Sequence, residues 1–138
     1  MVRATWEPKH KAYLLDGLID AMAMGKSSDS GFKKEAWENI KKGFNEKFET
    51  DYQVDKFKTQ FATLKGEYQV VKRLKDQSGF GWDSLLQIVT ASEDVWTAYI
   101  TSHQEAKKWK GQPFPHWDKL HDLCEGKVAT GVHALVLG

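Results

Sequence analysis

The chain has 138 residues, 41% of them apolar and 12% aromatic, and a formal charge of +1. This size and composition suit one domain with a real core and exclude disorder as the default state; near-neutrality means that any basic surface must be concentrated rather than spread. The single cysteine, Cys124, excludes an internal disulfide, and with no signal-like or membrane-spanning apolar run a reducing, intracellular setting without a membrane partner is expected.

Along the chain, Thr5 is placed to cap a first helix with Pro8 in its opening turn. Leu14, Leu15, Leu18, Ile19 and Met22 then recur at helical spacing up to about Gly25. The stretch Gly25-Lys-Ser-Ser-Asp-Ser-Gly31 is rich in turn formers and reads as a loop. A second helix follows, with Ala36, Trp37, Ile40, Phe44 and Phe48 in one stripe and its charged residues mostly elsewhere. Thr50, Asp51 or Gln53 can start a third helix, in which Val54, Phe57, Phe61, Leu64, Tyr68, Val71 and Leu74 follow gaps of 3, 4, 3, 4, 3 and 3. No other segment is so regular.

Beyond Ser78-Gly-Phe-Gly-Trp-Asp83, the apolar piece Leu85 to Val89 suits a strand or an extended segment. Thr90-Ala-Ser-Glu93 is a capping-box pattern for a fourth helix with Val95, Trp96, Tyr99 and Ile100 on one face, and a last short helix is expected from about Pro115 to Cys124. From Glu125 on the chain is rich in Gly, Ala and Val and has neither cap nor period. The expected organisation is a three-helix core over 1–77, an extension packed on it within the same domain over 78–124, and a tail of undetermined order over 125–138.

The charge is polarised. Between Val54 and Lys75 six basic residues (Lys56, Lys58, Lys65, Lys72, Arg73, Lys75) face two acidic ones (Asp55, Glu67), a local net of +4, whereas residues 76–138 carry a net of −3. With the apolar stripe of the third helix turned to the core, Lys58, Thr59, Ala62, Thr63 and Lys65 fall on its other faces. Short polar side chains flanked by lysines suit a nucleic-acid groove, since Thr can meet base edges or a thymine methyl and Lys can reach guanine or phosphate. A lysine-rich helix face can equally be a solvated one, and charge alone does not choose.

Other constellations are poorer. Ser78-Gly-Phe-Gly-Trp-Asp83 lacks the second half of a phosphate loop; Gly79 and Gly81 are better read as turn glycines that let Phe80 and Trp82 fold back on the helices. His116, His121 and Cys124 lack a second ligand pair, so no metal is expected, and a structural role is the better reading. Cys124 with His121 lacks an oxyanion hole and an orienting carboxylate, so neither an enzyme nor a cofactor is expected.

Three bulky aromatics are spaced one to a helix: Trp6 before the first, Trp37 in the second and Phe61 in the third. This arrangement resembles the Myb/SANT triad, with Phe61 where a third Trp is usual. The resemblance extends through Gly31-Phe-Lys-Lys-Glu-Ala-Trp37, Leu64-Lys65 with Tyr68, Ser78-Gly-Phe-Gly-Trp-Asp83, Val95-Trp96 with Tyr99-Ile100, and Pro113-Phe-Pro115 with Leu120. Over Trp6 to about Cys124 the chain is similar to the Myb/SANT-like family of plants and fungi, related to accessory proteins of Harbinger-type transposons.

The resemblance implies a mainly α fold, a three-helix bundle of the helix-turn-helix type with a helical C-terminal extension. It also implies a nuclear, DNA-binding or chromatin-associated protein of regulatory or transposon-derived origin. By analogy with Myb repeats, base reading falls to Lys58, Thr59, Ala62 and Thr63; Asn is common at the second and third of these positions, where Thr59 and Ala62 stand here. Phosphate contacts would come from Lys65, Lys72 and Arg73. Because one such module binds weakly, a second copy or a partner subunit would raise affinity. The alternative is a protein-interaction adaptor on chromatin that uses Trp109, Phe114 and Trp117, provided these are exposed.

Overall fold

The computed structural model describes residues 6–28 and 31–126. In order, the elements are helix α1 (Pro8–Ala23), strands β1 (Ser27–Ser28) and β2 (Gly31–Phe32), helices α2 (Lys34–Phe48) and α3 (Val54–Asp76), and strands β3 (Gly81–Asp83) and β4 (Ile88–Thr90). Helix α4 (Glu93–Ser102), a 3₁₀ helix (Gln104–Trp109) and helix α5 (Trp117–Glu125) follow. The fold is mainly helical with two short antiparallel β-ladders, as the resemblance implies. The chain divides into two compact units, one running to Thr63 and resuming at Asp118, the other Leu64–Trp117.

In the first unit, α1 begins at Glu7, whose backbone N–H donates to His10 Nδ1 at 3.0 Å. Thr5, the cap expected from sequence, lies outside the described residues. Leu14, Leu15 and Leu18 are fully buried. The α1 and α2 backbones pack closely: a Cβ on Gly17 would come within 2.8 Å of Ile40 Cγ1, and one on Gly43 would strike the Tyr13 hydroxyl. Residues expected as a loop instead pair, Ser27 with Phe32 and Ser28 with Gly31, because backbone groups this close to a packed helix end are satisfied by a ladder; the Lys33 N–H to Lys26 carbonyl bond extends it.

The joint between α2 and α3 is built by side chains. Glu49 ends α2 in the left-handed region at φ 53°, an unfavourable conformation for a residue with a Cβ. Asn45 Oδ1 accepts from the Thr50 hydroxyl (2.7 Å) and the Tyr52 N–H (3.0 Å), and Asn45 Nδ2 donates to the Tyr52 carbonyl (2.9 Å). These bonds hold the turn that delivers the chain into α3.

Two aromatic groups fill this unit. Trp6 packs on Phe44 (5.2 Å), Phe57 (5.8 Å) and Tyr52 (5.9 Å), while Trp37 packs on Phe61 (6.3 Å) and both meet Phe32. The triad residues thus anchor two neighbouring clusters. Helix α5, expected at the end of the C-terminal extension, contributes its buried Leu120 and Leu123 to this same unit, where Lys119 bonds Asp16 of α1 at 2.8 Å.

In the second unit, Leu64, Tyr68, Val71 and Leu74 of α3 are fully buried. Strands β3 and β4 pair Gly81 with Thr90, Trp82 with Val89 and Asp83 with Ile88, so the apolar piece after Asp83 splits into an exposed turn at Leu85 and Leu86 and a short strand. Gly79 has φ +90°, as a turn glycine should; Gly81 does not need a positive φ but lies 2.9 Å, at its missing Cβ, from Thr90 Oγ1. Phe80 packs edge-on against buried Trp96 at 5.0 Å. The cap of α4 is Ser92, which accepts from the Val95 N–H at 3.3 Å; Thr90, the expected cap, is instead held in β4 by its pairing with Gly81.

Candidate nucleic-acid interface

Helix α3 carries the candidate site because its two faces are chemically distinct. The regular apolar stripe points inward, and Lys58, Thr59, Ala62, Thr63, Lys65 and Arg73 are all exposed, with Lys72 half-buried. At 100° per residue, Lys58, Thr59, Ala62, Gln69 and Arg73 lie on the side of the helix turned away from Phe57, Leu64 and Tyr68. Side chains there are short or long and flexible, and none is a bulky apolar group.

Within the first unit, Lys58 Nζ stands 6.0 Å from the centre of the Trp37 ring, and Lys56 Nζ 5.9 Å from that of Tyr52. Both ammonium groups therefore rest against the aromatic framework at the start of α3, a weak cation–π attraction that limits where they can swing. Beside them Trp6, Asp55, Lys56, Thr59 and Gln60 line a shallow recess of about 380 Å³. Asp55 is the carboxylate on this part of the helix and would repel a phosphate close to it.

Within the second unit, Glu67 bonds Lys108 Nζ at 2.5 Å, so one of the two acidic residues on this part of α3 is neutralised by a lysine 41 positions away; the other, Asp76, is exposed at the helix end. Lys75 is engaged: its Nζ sits 3.9 Å from the centre of the Trp117 ring and 4.4 Å from that of Trp82. Lys65, Lys72 and Arg73 are the other basic side chains on this part of α3. Neither the Lys108 pairing nor the Lys75 contacts have any local signature in the sequence.

Of the three aromatic residues that would serve as a partner surface if exposed, Trp109 and Phe114 are buried. Trp109 is 4% exposed and Phe114 3%, and they meet edge-to-face at 5.0 Å as part of the second unit's core. Burial of large rings is strongly favourable, and here the Phe114 N–H donates to the Gln87 carbonyl at 2.8 Å, which draws the segment inward. Trp117 is half-buried and stacks on Tyr68 at 4.7 Å. Among the described residues, the large apolar side chains that face solvent are Leu85 (89% exposed), Met24 (68%) and Leu86 (58%). Among the described residues no group of three His, Cys, Asp or Glu could hold a metal ion, and no helix is long and apolar enough to cross a membrane.

The profile of the Myb/SANT-like DNA-binding domain matches residues 5–99, which takes in α1 through most of α4. The chain belongs to this family. An uncharacterized protein of Arabidopsis thaliana is 28% identical to it over 137 residues, covering 97% of this chain and 44% of that protein. An L10-interacting MYB domain-containing protein of Arabidopsis thaliana is 24% identical over 108 residues, covering 78% of this chain and 24% of that protein. The chain therefore spans less than half the length of these curated relatives. No solved structure matches it significantly. Membership of the Myb/SANT-like family supports a DNA-binding role, and the family is typically non-enzymatic.

Proposed function

We propose that this Myb/SANT-like domain binds duplex DNA by laying the exposed face of α3 in the major groove. Lys58, Thr59, Ala62 and Thr63 would meet base edges, and Lys65, Lys72 and Arg73 would meet phosphates. The observation that carries this reading is the division of α3: a buried apolar stripe from Phe57 to Leu74 on one side, and opposite it an exposed face of mostly small or basic side chains, with Asp55 and Asp76 at its two ends. A helix of this kind fits the groove without steric conflict, and its short side chains let the backbone approach the bases. Ala62 offers apolar contact only, such as to a thymine methyl.

A DNA-binding domain acts where the DNA is, so the proposed working location is the nucleus and the proposed role regulatory or transposon-derived. The decisive experiment is salt-titrated binding to a random duplex pool followed by sequencing of the bound fraction. Enrichment of a defined site, with affinity that falls steeply as salt rises, is the expected result. Binding that is absent at low salt sinks the reading.

A second reading, a protein-interaction adaptor on chromatin, is favoured by one feature. Asp83 Oδ1 accepts from the N–H groups of Leu85 (2.9 Å) and Leu86 (3.0 Å), which displays two solvent-facing leucines on a built turn. Preordered apolar side chains are good anchors for a partner. Pull-down with the Leu85→Ser, Leu86→Ser variant beside the parent separates the two readings, since DNA binding should survive that change.

A further inference from the structure

The ammonium group of Lys75 occupies an aromatic cage of which the DNA-binding reading makes no use. Its Nζ lies 3.9 Å from the ring centre of Trp117 and 4.4 Å from that of Trp82, both well inside the range of about 6 Å over which a cation is drawn to an aromatic face. The two rings stand 5.9 Å apart, inclined at 43°, and so form two walls around one cation. All of these residues lie in the second unit.

The walls are held by groups other than Lys75. Trp82 is the central residue of β3 and pairs with Val89 across the ladder. Trp117 stacks at 30° on Tyr68, which is fully buried. Lys75, Trp82 and Trp117 are each half-buried, so all three keep some contact with solvent. Removing the Lys75 side chain would leave these supports of the two rings in place.

We infer that Trp82 and Trp117 form a binding site for a methylated ammonium group, with Lys75 as its built-in occupant. A primary ammonium is compact and strongly hydrated, so Lys75 gives up favourable hydration when it enters the cage. A trimethylammonium carries the same charge, is less hydrated and covers more of each ring face, which is the chemistry aromatic cages select. The tether gives Lys75 an effective concentration of roughly millimolar order, so it acts as a displaceable plug. Such a group could come from a trimethylated lysine side chain or from a choline headgroup. This inference does not depend on how α3 meets DNA.

The test is titration of tetramethylammonium chloride into the whole chain, read at the indole N–H resonances of Trp82 and Trp117, with sodium chloride at matched ionic strength as the control. The parent should show weak saturable shifts at these two indoles, and Lys75→Ala should bind at least tenfold more tightly. Lys75→Gln, which keeps most of the side-chain length without the charge, should also bind more tightly than the parent and serves if the alanine variant does not fold. Adding Trp82→Ala to either variant should remove the shifts. A trimethyl-lysine peptide, its unmethylated counterpart and phosphocholine then identify the source, the tighter methylated ligand naming it. Shifts that sodium chloride reproduces, or affinities equal in the parent and both Lys75 variants, would overturn the inference.

Discussion

Asn45, in the last turns of α2, satisfies both backbone polar groups of Tyr52: the Tyr52 N–H donates to Asn45 Oδ1 at 3.0 Å, and Asn45 Nδ2 donates to the Tyr52 carbonyl at 2.9 Å. The same Oδ1 accepts from the Thr50 hydroxyl at 2.7 Å. One side chain thus satisfies the turn that precedes α3 and offsets the cost of Glu49 at positive φ. Asn45→Ala should destabilise the protein by about 1–3 kcal/mol, because the partly buried groups it served lose their partners. Denaturant unfolding measures this, and a midpoint unchanged from the parent would show that the turn holds without it.

Trp37 and Phe61 meet at 6.3 Å in the cluster that joins α2 to α3, and both are buried. Replacing either by Ala should cost about 3–5 kcal/mol, the usual range for deleting a large core aromatic. That is a large part of what a domain of this size has to lose. Melting within a few degrees of the parent would show that these rings do not anchor the bundle.

For the DNA reading, Lys65→Glu, Lys72→Glu and Arg73→Glu together should abolish duplex binding while far-UV circular dichroism stays unchanged. Milder neutralisation of all three to Gln should reduce the slope of log affinity against log salt by roughly 3, about one unit for each phosphate that no longer meets a cation. Undiminished binding in the reversed variant moves the interface away from α3.

Thr59 and Thr63 make the complementary prediction. Changing them to Ala together should alter which sequences are enriched from a random pool and leave the salt slope as it was, since base contacts carry sequence information and phosphate contacts carry counterion release. If instead the slope changes and the enriched sites do not, the two threonines face the backbone.

The second unit separates core from surface. Trp109→Ala should destabilise by about 3–5 kcal/mol, whereas Leu85→Ser with Leu86→Ser should stay within about 0.5 kcal/mol of the parent for each substitution. Thermal melts of the two variants decide it. A stable Trp109→Ala protein would return that residue to the surface.

Much of the fold is legible in the sequence where the controlling forces are local. The 3- and 4-residue spacing from Val54 to Leu74 predicts a helix and its buried face, and the structure buries Phe57, Phe61, Leu64, Tyr68, Val71 and Leu74 as that spacing requires. Capping is legible only in part: Ser92 rather than Thr90 opens α4, because Thr90 is claimed by its ladder partner Gly81. A capping motif states what a residue can do, and strand pairing decided which residue was left to do it.

The sequence by itself determined the mainly α fold, the position of the three aromatic anchors, and the concentration of positive charge on one helix, since periodicity and local charge are properties of neighbouring residues. Tertiary structure alone decided which charges and rings remain available. Glu67 is neutralised by Lys108, Lys75 is drawn between Trp82 and Trp117, Trp109 and Phe114 are taken into a core, and α5 returns to bond Asp16 through Lys119. Each of these pairs joins residues distant in the chain, or commits a ring to burial, and such contacts depend on the path of the backbone rather than on any pattern that a short stretch of sequence can carry.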